Sequence, residues 1–445
     1  MGDYWCELAW LGGASAISAV LIREAGGLIT DVQRGVPCSP DATRLSGLTL
    51  PGLANGHSHA FHRALRGRTQ VGTGSFWTWR EQMYALAATL QPDTYFELAR
   101  AVYGEMALAG ITVVGEFHYL HHDVNGTPYA HPNAMSEALV AAAREVGIRI
   151  TLLDTCYLHG GFGQPPNEVQ QRFSDGDGEA WASRVSSFHV DGRTARVGAA
   201  LHSVRAVDPR STGIVAEWAA QHDVPLHAHV SEQSAENQQC IDMYGMTPTL
   251  LLHEHGVLSE RFTSVHATHL SGVDIGLYGA NGCTICMCPT TERDLADGIG
   301  PARSLRQAGA ELSLGTDSHA VIDLFEEARA VELNERLATN TRGHHDATSL
   351  LQAATVNGHR SLGWGQAGTL EVGKVADFVS VRLDTVRTAG ASEGTALESA
   401  VFAASAADVH HLVVDGKVIV RDGAHRSIDV ASELTRTIAL VAGRP

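Results

Sequence analysis

Lysine is almost absent from this chain of 445 residues. Of the 32 basic residues only Lys374 and Lys417 are lysines, and both lie near the C-terminal end. Any site built from residues before Lys374 must therefore work without a lysine amine. The formal net charge is -17, and no cluster of basic residues stands out. Phosphate binding needs such a cluster, so we exclude a nucleic-acid partner and expect an anionic ligand to require local arginines.

Long apolar runs and a basic leader are missing too. No segment approaches the ~18 apolar residues that a membrane-spanning helix requires. The first residues, MGDYWCELAWL, are acidic where a signal peptide would be basic. The seven cysteines form an odd set in a chain too long to depend on disulfides. We therefore expect reduced thiols and a soluble, cytoplasmic protein with no membrane partner.

From about residue 50 onward, short apolar runs alternate with longer segments of helical period. This is the pattern of βα units around a parallel sheet. Eight such runs occur, at residues 48–57, 111–119, 148–155, 195–202, 224–229, 262–267, 283–288 and 311–317. Eight units predict a closed (β/α)8 barrel, in which functional residues lie at the C-terminal ends of the strands.

The two ends of the chain differ from this pattern. Residues 1–47 and 368–445 contain short strand-like pieces with glycine turns, and Asp415-Gly416 is a hairpin signal. We expect the two ends to meet in a small β-sandwich domain beside a barrel that spans residues 48–367.

Histidines and carboxylates gather at the ends of the predicted strands. His57 and His59 lie two residues apart, so in a strand both side chains point to the same face. Alone, this pair could be two ordinary hydrogen-bonded histidines among the 24 of the chain. The other strand ends add His202, His229, Glu232, His266, His269 and Asp317. Three imidazoles and one carboxylate that leave a position for water can form a catalytic site for zinc or a similar divalent ion.

These strand ends resemble a known superfamily. HSH after the first run, HVSE after the fifth, VHATH after the sixth and GTDS after the eighth are similar to the amidohydrolase superfamily, metal-dependent hydrolases on a distorted (β/α)8 barrel. Many members bridge two metals with a carbamylated lysine on the fourth strand, which this chain lacks. The resemblance therefore points to the mononuclear deaminase branch.

In that branch the resemblance implies four metal ligands, His57, His59, His229 and Asp317. Glu232 and His266 would be the proton-handling pair, with Asp317 acting as both ligand and base. A divalent cation lowers the pKa of bound water toward ~7, which would supply hydroxide for attack on the substrate carbon. We expect one such ion, Zn²⁺, although ligand types alone do not separate it from iron or manganese.

Five further blocks are similar to the family of formimidoylglutamate deiminases. They are LPGLANGHSHAFHRALRGRT, FWTWREQMY, VVGEFHYLHH, ALHSVRAV and CPTTERDLADGIGP. This resemblance implies hydrolysis of N-formimino-L-glutamate to N-formyl-L-glutamate and ammonia in histidine degradation, by a homodimer. It places Arg80, Tyr119, His202 and Arg205 around the two carboxylates of the substrate, where arginine can bind bidentately.

His62 stands where many relatives of that family have glutamine. Histidine can also donate a hydrogen bond to a carboxylate, so we expect a substrate contact. A structural hydrogen bond at the start of the following helix remains the other reading. Two further functions stay open: a deaminase of a nucleobase or related heterocycle on the same metal site, and a noncatalytic binding barrel. Arg80 and Arg205 speak against the first, and the complete set of metal-site residues speaks against the second.

Several other features have an ordinary explanation. We interpret Cys283, Cys286 and Cys288 as small buried thiols of the seventh strand. The histidine pairs at 121–122 and 344–345 are expected in solvent or behind the site. The aromatic residues of FWTW could wall the pocket or pack a helix against the barrel, and Arg293 with Asp294 would shape a loop over the pocket.

Overall fold

The computed structural model describes residues 2–71 and 73–442. Within these ranges the strands, in chain order, are β1 Gly2–Ala9, β2 Ile17–Ala25, β3 Leu28–Gln33, β4 Thr43–Pro51, β5 Leu53–Ser58, β6 Ile111–His118, β7 Arg149–Cys156, β8 Ala195–Leu201, β9 Leu226–Val230, β10 Phe262–His266, β11 Thr284–Met287, β12 Glu311–Leu314, β13 Phe378–Val381, β14 Val409–Val414, β15 Lys417–Arg421 and β16 Ala424–His425.

The α-helices of the same ranges are α1 Phe76–Ala87, α2 Pro92–Leu108, α3 Ala134–Val146, α4 Gly178–Ser186, α5 Pro209–Gln221, α6 Ser234–Tyr244, α7 Pro248–Glu254, α8 Gly272–Ala280, α9 Pro289–Asp294, α10 Ala302–Ala308, α11 Leu324–Thr339, α12 Ala347–Gln352, α13 Gly358–Ser361, α14 Ala396–Phe402 and α15 Val430–Ala442. Short 3₁₀ turns cover Ala60–Leu65, Val124–Gly126, Gln170–Phe173 and Ala406–Asp408, and a π-helical turn covers Ala353–Asn357. In the described chain no helix is long and apolar enough to cross a bilayer.

Strands β5 to β12 form the barrel. Each is hydrogen-bonded in parallel to the next in chain order, and a parallel bridge between Ser58 and Asp317 joins the last strand end to the first. Helices lie between successive strands and cover the outside, which buries the apolar strand residues on both faces. The predicted (β/α)8 barrel is confirmed.

The first of the eight predicted runs is divided between the two sheets. Residues up to Pro51 end β4, which pairs with β1 and β13, and the barrel begins at Leu53. Gly52 makes the crossing possible, because a Cβ atom at this position would lie 2.3 Å from Cγ2 of Thr112. Only glycine permits so close an approach of the chain to the neighbouring strand.

Both ends of the chain meet in the second sheet, whose order is β16-β15-β14-β13-β4-β1-β2-β3. The amide of Ile29 in β3 donates to the carbonyl of Lys374 at 2.8 Å, just before β13, so the sheet rolls back on itself. Tyr4 and Phe378 pack edge to face inside the rolled sheet, with ring centroids 4.9 Å apart. The hairpin signal is borne out as well, since Asp415 and Gly416 join β14 to β15 with φ values of 54° and 72°.

A buried ion pair fastens this sheet to the barrel. Arg149 of β7 donates from Nε to Oδ2 of Asp377 at 2.8 Å and from a terminal nitrogen to Oδ1 at 3.2 Å. The amide of Asp415 donates to the same carboxylate at 2.7 Å. Both side chains of the pair are at most 2% exposed. One carboxylate therefore fixes the barrel, the strand β13 and the β14–β15 hairpin relative to one another.

Candidate active site and metal centre

Four predicted ligands converge at the C-terminal end of the barrel. His57 lies at the end of β5, His59 directly after it, His229 in β9 and Asp317 after β12. Nε2 of His229 lies 3.1 Å from Nε2 of His57 and 3.4 Å from Nε2 of His59. Oδ1 of Asp317 lies 3.3 Å and 3.5 Å from the same two histidine nitrogens.

These distances suit a tetrahedral metal ion. Bonds of about 2.0–2.1 Å to nitrogen and oxygen give a tetrahedron with edges of about 3.3–3.4 Å. This cluster is one of two groups of side chains among the described residues that could hold a metal ion. The second group is described below.

The hydrogen bonds around the imidazoles fix which nitrogen faces the centre. Nδ1 of His59 lies 2.9 Å from the carbonyl oxygen of Phe117, and Nδ1 of His229 lies 2.8 Å from that of His202. A carbonyl only accepts, so both Nδ1 atoms donate and both Nε2 atoms turn lone pairs inward. Burial lowers the pKa of both imidazoles, which keeps them neutral. Lone pairs that face each other and a carboxylate at this spacing are suited to a cation.

Backbone conformation brings the donors this close. A Cβ on Gly315 would lie 2.8 Å from Cβ of His57, so the strand carrying Asp317 can approach His57 only because residue 315 is glycine. Several non-glycine residues at the strand ends have positive φ, among them Ser231 at 52°, His266 at 68° and Asp317 at 41°. Such strain is held by surrounding structure and concentrates at functional sites.

Beside the four ligands lies an acid and base pair. Nε2 of His266 is 3.7 Å from Oε1 of Glu232 and 3.7 Å from Oδ2 of Asp317. Burial raises the pKa of Glu232 to about 7, although the positive charge of His266 opposes the rise. Burial alone would lower the pKa of His266, but the carboxylates around it, Glu232 first, raise it well above its usual value. A proton can therefore be held between these two side chains near neutral pH.

A pocket opens above the cluster, and ten of the eleven predicted site residues line it. Its lining residues are His59, His62, Phe76, Trp79, Arg80, Met83, Tyr84, Tyr119, His202, Arg205, His229, Glu232, His266, Leu295 and Asp317. His57, the eleventh, is fully buried below the pocket floor. Phe76 and Trp79 are thus pocket walls, while Trp77 is 45% exposed and stacks on Arg80.

Two arginines bring positive charge into this pocket. Arg205 donates from Nε to Oε2 of Glu236 at 2.5 Å, and Glu236 also accepts the amide of Ser231 at 2.9 Å. This arrangement leaves the terminal nitrogens of Arg205 for a ligand. Burial would lower the pKa of Arg205, but Glu236 raises it above its usual value. Arg80 donates from a terminal nitrogen to the hydroxyl of Tyr157 at 3.2 Å.

The position of His62 is compatible with both interpretations of this residue. It lies in the 3₁₀ turn that follows β5 and also lines the pocket. Its Nε2 is 3.1 Å from the hydroxyl of Tyr119, whereas its buried Nδ1 has no hydrogen-bond partner among the described residues. Burial lowers the pKa of His62 to about 3, so the ring is neutral. A neutral imidazole with one unpartnered nitrogen can serve as a polar contact for a ligand.

Carboxylates that were not predicted from the sequence hold the site from behind. Oε1 of Glu292 lies 3.4 Å from Nδ1 of His266 and accepts the amide of Cys288 at 2.9 Å. Glu236 and Asp297 likewise lie behind the residues that line the pocket. Glu236 accepts a hydrogen bond from Arg205, and Asp297 accepts one from Gln233. Glu292 belongs to the CPTTERD block and lies in the first turn after β11. This position next to a strand end is the sequence feature that could have identified it as a site residue.

Some predicted residues lie elsewhere. Arg293 pairs with Glu326 at 2.9 Å and is about half exposed, and Asp294 accepts from Gln70 at 2.7 Å on the surface. Neither side chain lines the pocket, but Leu295, the next residue of the same segment, does. His121 and His122 are buried rather than in solvent, and they contact the carbonyl of Thr155 and the carboxylate of Asp175. The cysteines at 283, 286 and 288 are fully buried free thiols, as expected.

A parallel barrel with three imidazoles, one carboxylate and a neighbouring acid and base pair at its C-terminal rim defines a class of metal-dependent hydrolases. The profile of the amidohydrolase family matches residues 48–419, and the chain belongs to this family.

Individual relatives refine the comparison. Formimidoylglutamate deiminase of Pseudomonas aeruginosa is 37% identical over 398 residues, which cover 86% of this chain and 87% of that protein. 8-Oxoguanine deaminase of the same species is 29% identical over 98% of this chain and 99% of that protein. The crystal structure of an amidohydrolase from Brucella melitensis superposes with a TM-score of 0.92 at 34% identity, over 99% of this chain and all of that one.

Proposed function

We propose that this protein hydrolyses the formimino group of N-formimino-L-glutamate, which yields N-formyl-L-glutamate and ammonia. The observation that carries the proposal is the pairing of Arg80 and Arg205 in one pocket with the His and Asp cluster. A substrate with two carboxylates needs such charges, and the similarity to formimidoylglutamate deiminase points the same way. The chain is an enzyme that acts on C–N bonds.

The donor set fits one divalent metal ion, for which we propose zinc. His57, His59, His229 and Asp317 would hold it, because three neutral imidazoles and a carboxylate with edges near those of a tetrahedron suit Zn²⁺. When bound, such an ion lowers the pKa of a water ligand, so that hydroxide forms near neutral pH.

Glu232 and His266 then manage the protons. Glu232 accepts a proton from the attacking water and delivers it to the departing nitrogen, for which a pKa near 7 is suited. His266, kept protonated by the carboxylates around it, donates to the attacking oxygen and stabilises the charge that develops there. Glu292 fixes the ring of His266 through Nδ1. The second oxygen of Asp317, 3.7 Å from Nε2 of His266, accepts a hydrogen bond from the attacking water and supports Glu232 as base.

The pocket walls position the substrate. Arg205 presents its terminal nitrogens to one carboxylate, and Arg80 with Tyr119, His202 and His62 surrounds the other. Fixing both ends of a short dicarboxylate holds the formimino carbon at one distance from the cluster, which raises the rate by removing orientational freedom. We place the enzyme in the cytoplasm, in histidine degradation, and expect it to be a homodimer.

The test compares substrates and one variant. Ammonia release from N-formimino-L-glutamate and from 8-oxoguanine is measured with the zinc-loaded protein, with and without a chelator. We expect chelator-sensitive release from the first compound only, and a loss of about 10²–10⁴-fold in kcat for Glu232→Gln with the metal retained. Glu326→Gln, a surface carboxylate outside the pocket, is the matched control and should keep full activity.

Three other outcomes would each contradict part of the proposal. Release from 8-oxoguanine alone would overturn the arginine-pocket assignment and favour a heterocycle deaminase, for which Phe76 and Trp79 would stack the ring. Full activity of Glu232→Gln would overturn its role as the proton carrier. No release from either compound by protein that contains the metal would reject the proposed substrate.

A further inference from the structure

A second cluster of metal-ligand side chains lies in the small sheet, away from the barrel. It consists of His410, His411 and Asp422, and one ligand atom from each lies within 4.8 Å of the others. We call it the His410 cluster. Neighbouring residues of a strand point to opposite faces, so two adjacent histidines do not ordinarily meet.

A β-bulge brings the two rings together. In the pairing of β13 with β14, Ser380 lies opposite His411 and Val381 lies opposite Val409. His410 therefore has no residue opposite it in β13. The extra residue turns the His410 ring toward its neighbour, so that the two Nδ1 atoms lie 3.0 Å apart. Bulges re-aim side chains in this way and often adjoin functional sites.

The third residue comes from the turn between β15 and β16. Oδ1 of Asp422 lies 3.0 Å from Nε2 of His410, and the amide of Gly423 donates to the carbonyl of His410 at 3.0 Å. Asp422 has a φ of 53°, a conformation that this turn must hold. Backbone and side chain thus fix the turn against the bulge independently of any ligand.

The resulting donor set has the arrangement of a metal site with its supporting carboxylate. Asp422 accepts the proton of Nε2 of His410, which leaves a lone pair on Nδ1, as carboxylates do for metal-binding histidines. Two imidazole nitrogens 3.0 Å apart span about one edge of a coordination polyhedron with bonds of about 2.0–2.1 Å. His411 is 6% exposed, while His410 and Asp422 reach solvent, so an ion can enter.

We propose that the His410 cluster binds a second transition-metal ion, separate from the barrel centre. The two ligands are imidazole nitrogens, with Asp422 as the supporting carboxylate behind His410. Imidazole favours Zn²⁺, Ni²⁺ or Cu²⁺, whereas Mg²⁺ and Ca²⁺ prefer oxygen. The bound ion fixes both histidines of the β14 bulge, and Asp422 connects His410 to the β15–β16 turn, so ion binding stabilises this end of the small sheet. This binding does not depend on the reaction that the barrel catalyses.

Equilibrium dialysis of tag-free protein against Zn²⁺, followed by elemental analysis, tests the proposal. We expect two ions per chain for the unaltered protein and one for His410→Gln, which keeps an amide to donate to Asp422 but has no imidazole lone pair. Asp422→Asn should weaken the second ion by about tenfold or more. His344→Ala is the matched control, because His344 belongs to another adjacent histidine pair and is exposed.

Two results would overturn the proposal: one ion in the unaltered protein at saturating Zn²⁺, or two ions in both the unaltered protein and His410→Gln. Asp317→Asn should lose the barrel ion and retain the other, which assigns each ion to its site. Hydrolytic activity of His410→Gln should equal that of the unaltered protein and shows that the variant folds. Failure of the proposed hydrolysis would leave the ion count unchanged.

Discussion

Replacing Arg205 by lysine tests the pocket assignment directly. Nε of Arg205 is occupied by Glu236 at 2.5 Å, so only the two terminal nitrogens remain for a substrate carboxylate. Lysine keeps the charge but offers one nitrogen in place of that fork. The variant should therefore lose about one hydrogen bond between charged groups, worth about 1.5–3 kcal/mol. This corresponds to a fall of about 10- to 150-fold in kcat/KM on N-formimino-L-glutamate.

Combining this substitution with changes to the substrate isolates the contact between Arg205 and one substrate carboxylate. The same two proteins are assayed on analogues in which one carboxylate or the other is an amide. The penalty of Arg205→Lys should nearly vanish on the analogue that lacks the carboxylate bound by Arg205 and persist on the other. Arg293→Lys, whose side chain pairs with Glu326 outside the pocket, is the control.

Two outcomes would refute the reasoning. An unchanged kcat/KM on the natural dicarboxylate would mean that Arg205 does not bind it. An equal loss on both amide analogues would mean that the substitution damages the site generally, through Glu236 and the Ser231 amide, rather than removing a substrate contact.

Three further predictions concern the metal, the domain junction and pH. Asp317→Asn removes one corner of the cluster, so retained barrel metal and ammonia release should both fall to near zero, and full activity would reject its ligand role. Arg149→Met leaves Asp377 buried without its partner and should cost about 3–5 kcal/mol in urea unfolding; an unchanged midpoint would contradict the junction described above. Burial lowers the pKa of His359 to about 4, whereas a histidine of the unfolded chain has a pKa of about 6.5. Between these two pH values His359 is neutral in the native state and protonated in the unfolded state. Stability is lost as pH falls through that window, by about 2 kcal/mol at pH 5 from this group, and His359→Gln should remove that part of the loss in pH-dependent urea unfolding.

The barrel could be predicted from the sequence because it follows from local patterns, and the four candidate ligands were implied by the resemblance to a family motif. Strand runs have a recognisable length, and residues at the ends of parallel strands must meet at one rim. His57 and His59 were identifiable from their spacing, and the strand-end positions of His229 and Asp317 agreed with the family motif. The division of the first apolar run at Gly52 could not be predicted from the sequence, because it depends on contact with Thr112, which is distant in the chain.

The supporting residues were harder to predict for a physical reason. Glu236 lies in α6 and Glu292 in α9, where a carboxylate ordinarily faces solvent. Their burial is caused by partners from other elements: Arg205 for one, and His266 with the Cys288 amide for the other. Nothing local distinguishes a buried from an exposed carboxylate in such a helix. The same holds for the His410 cluster, whose bulge arises from the register of β13 on β14.

The barrel centre is held in an arrangement that is unfavourable on its own. Three imidazole nitrogens and a carboxylate oxygen converge within 4.8 Å of one another, and His57 and His59 each lie 3.1–3.5 Å from both His229 and Asp317. Both His59 and His229 turn lone pairs inward, and Asp317 has a φ of 41°. Repulsion between lone pairs and backbone strain both cost free energy in the absence of a cation. Because a bound cation offsets that cost, part of its binding free energy is folding free energy. The glycine at 315 and the hydrogen bonds behind the imidazoles thus prepare the site before the ion arrives, at the expense of local stability.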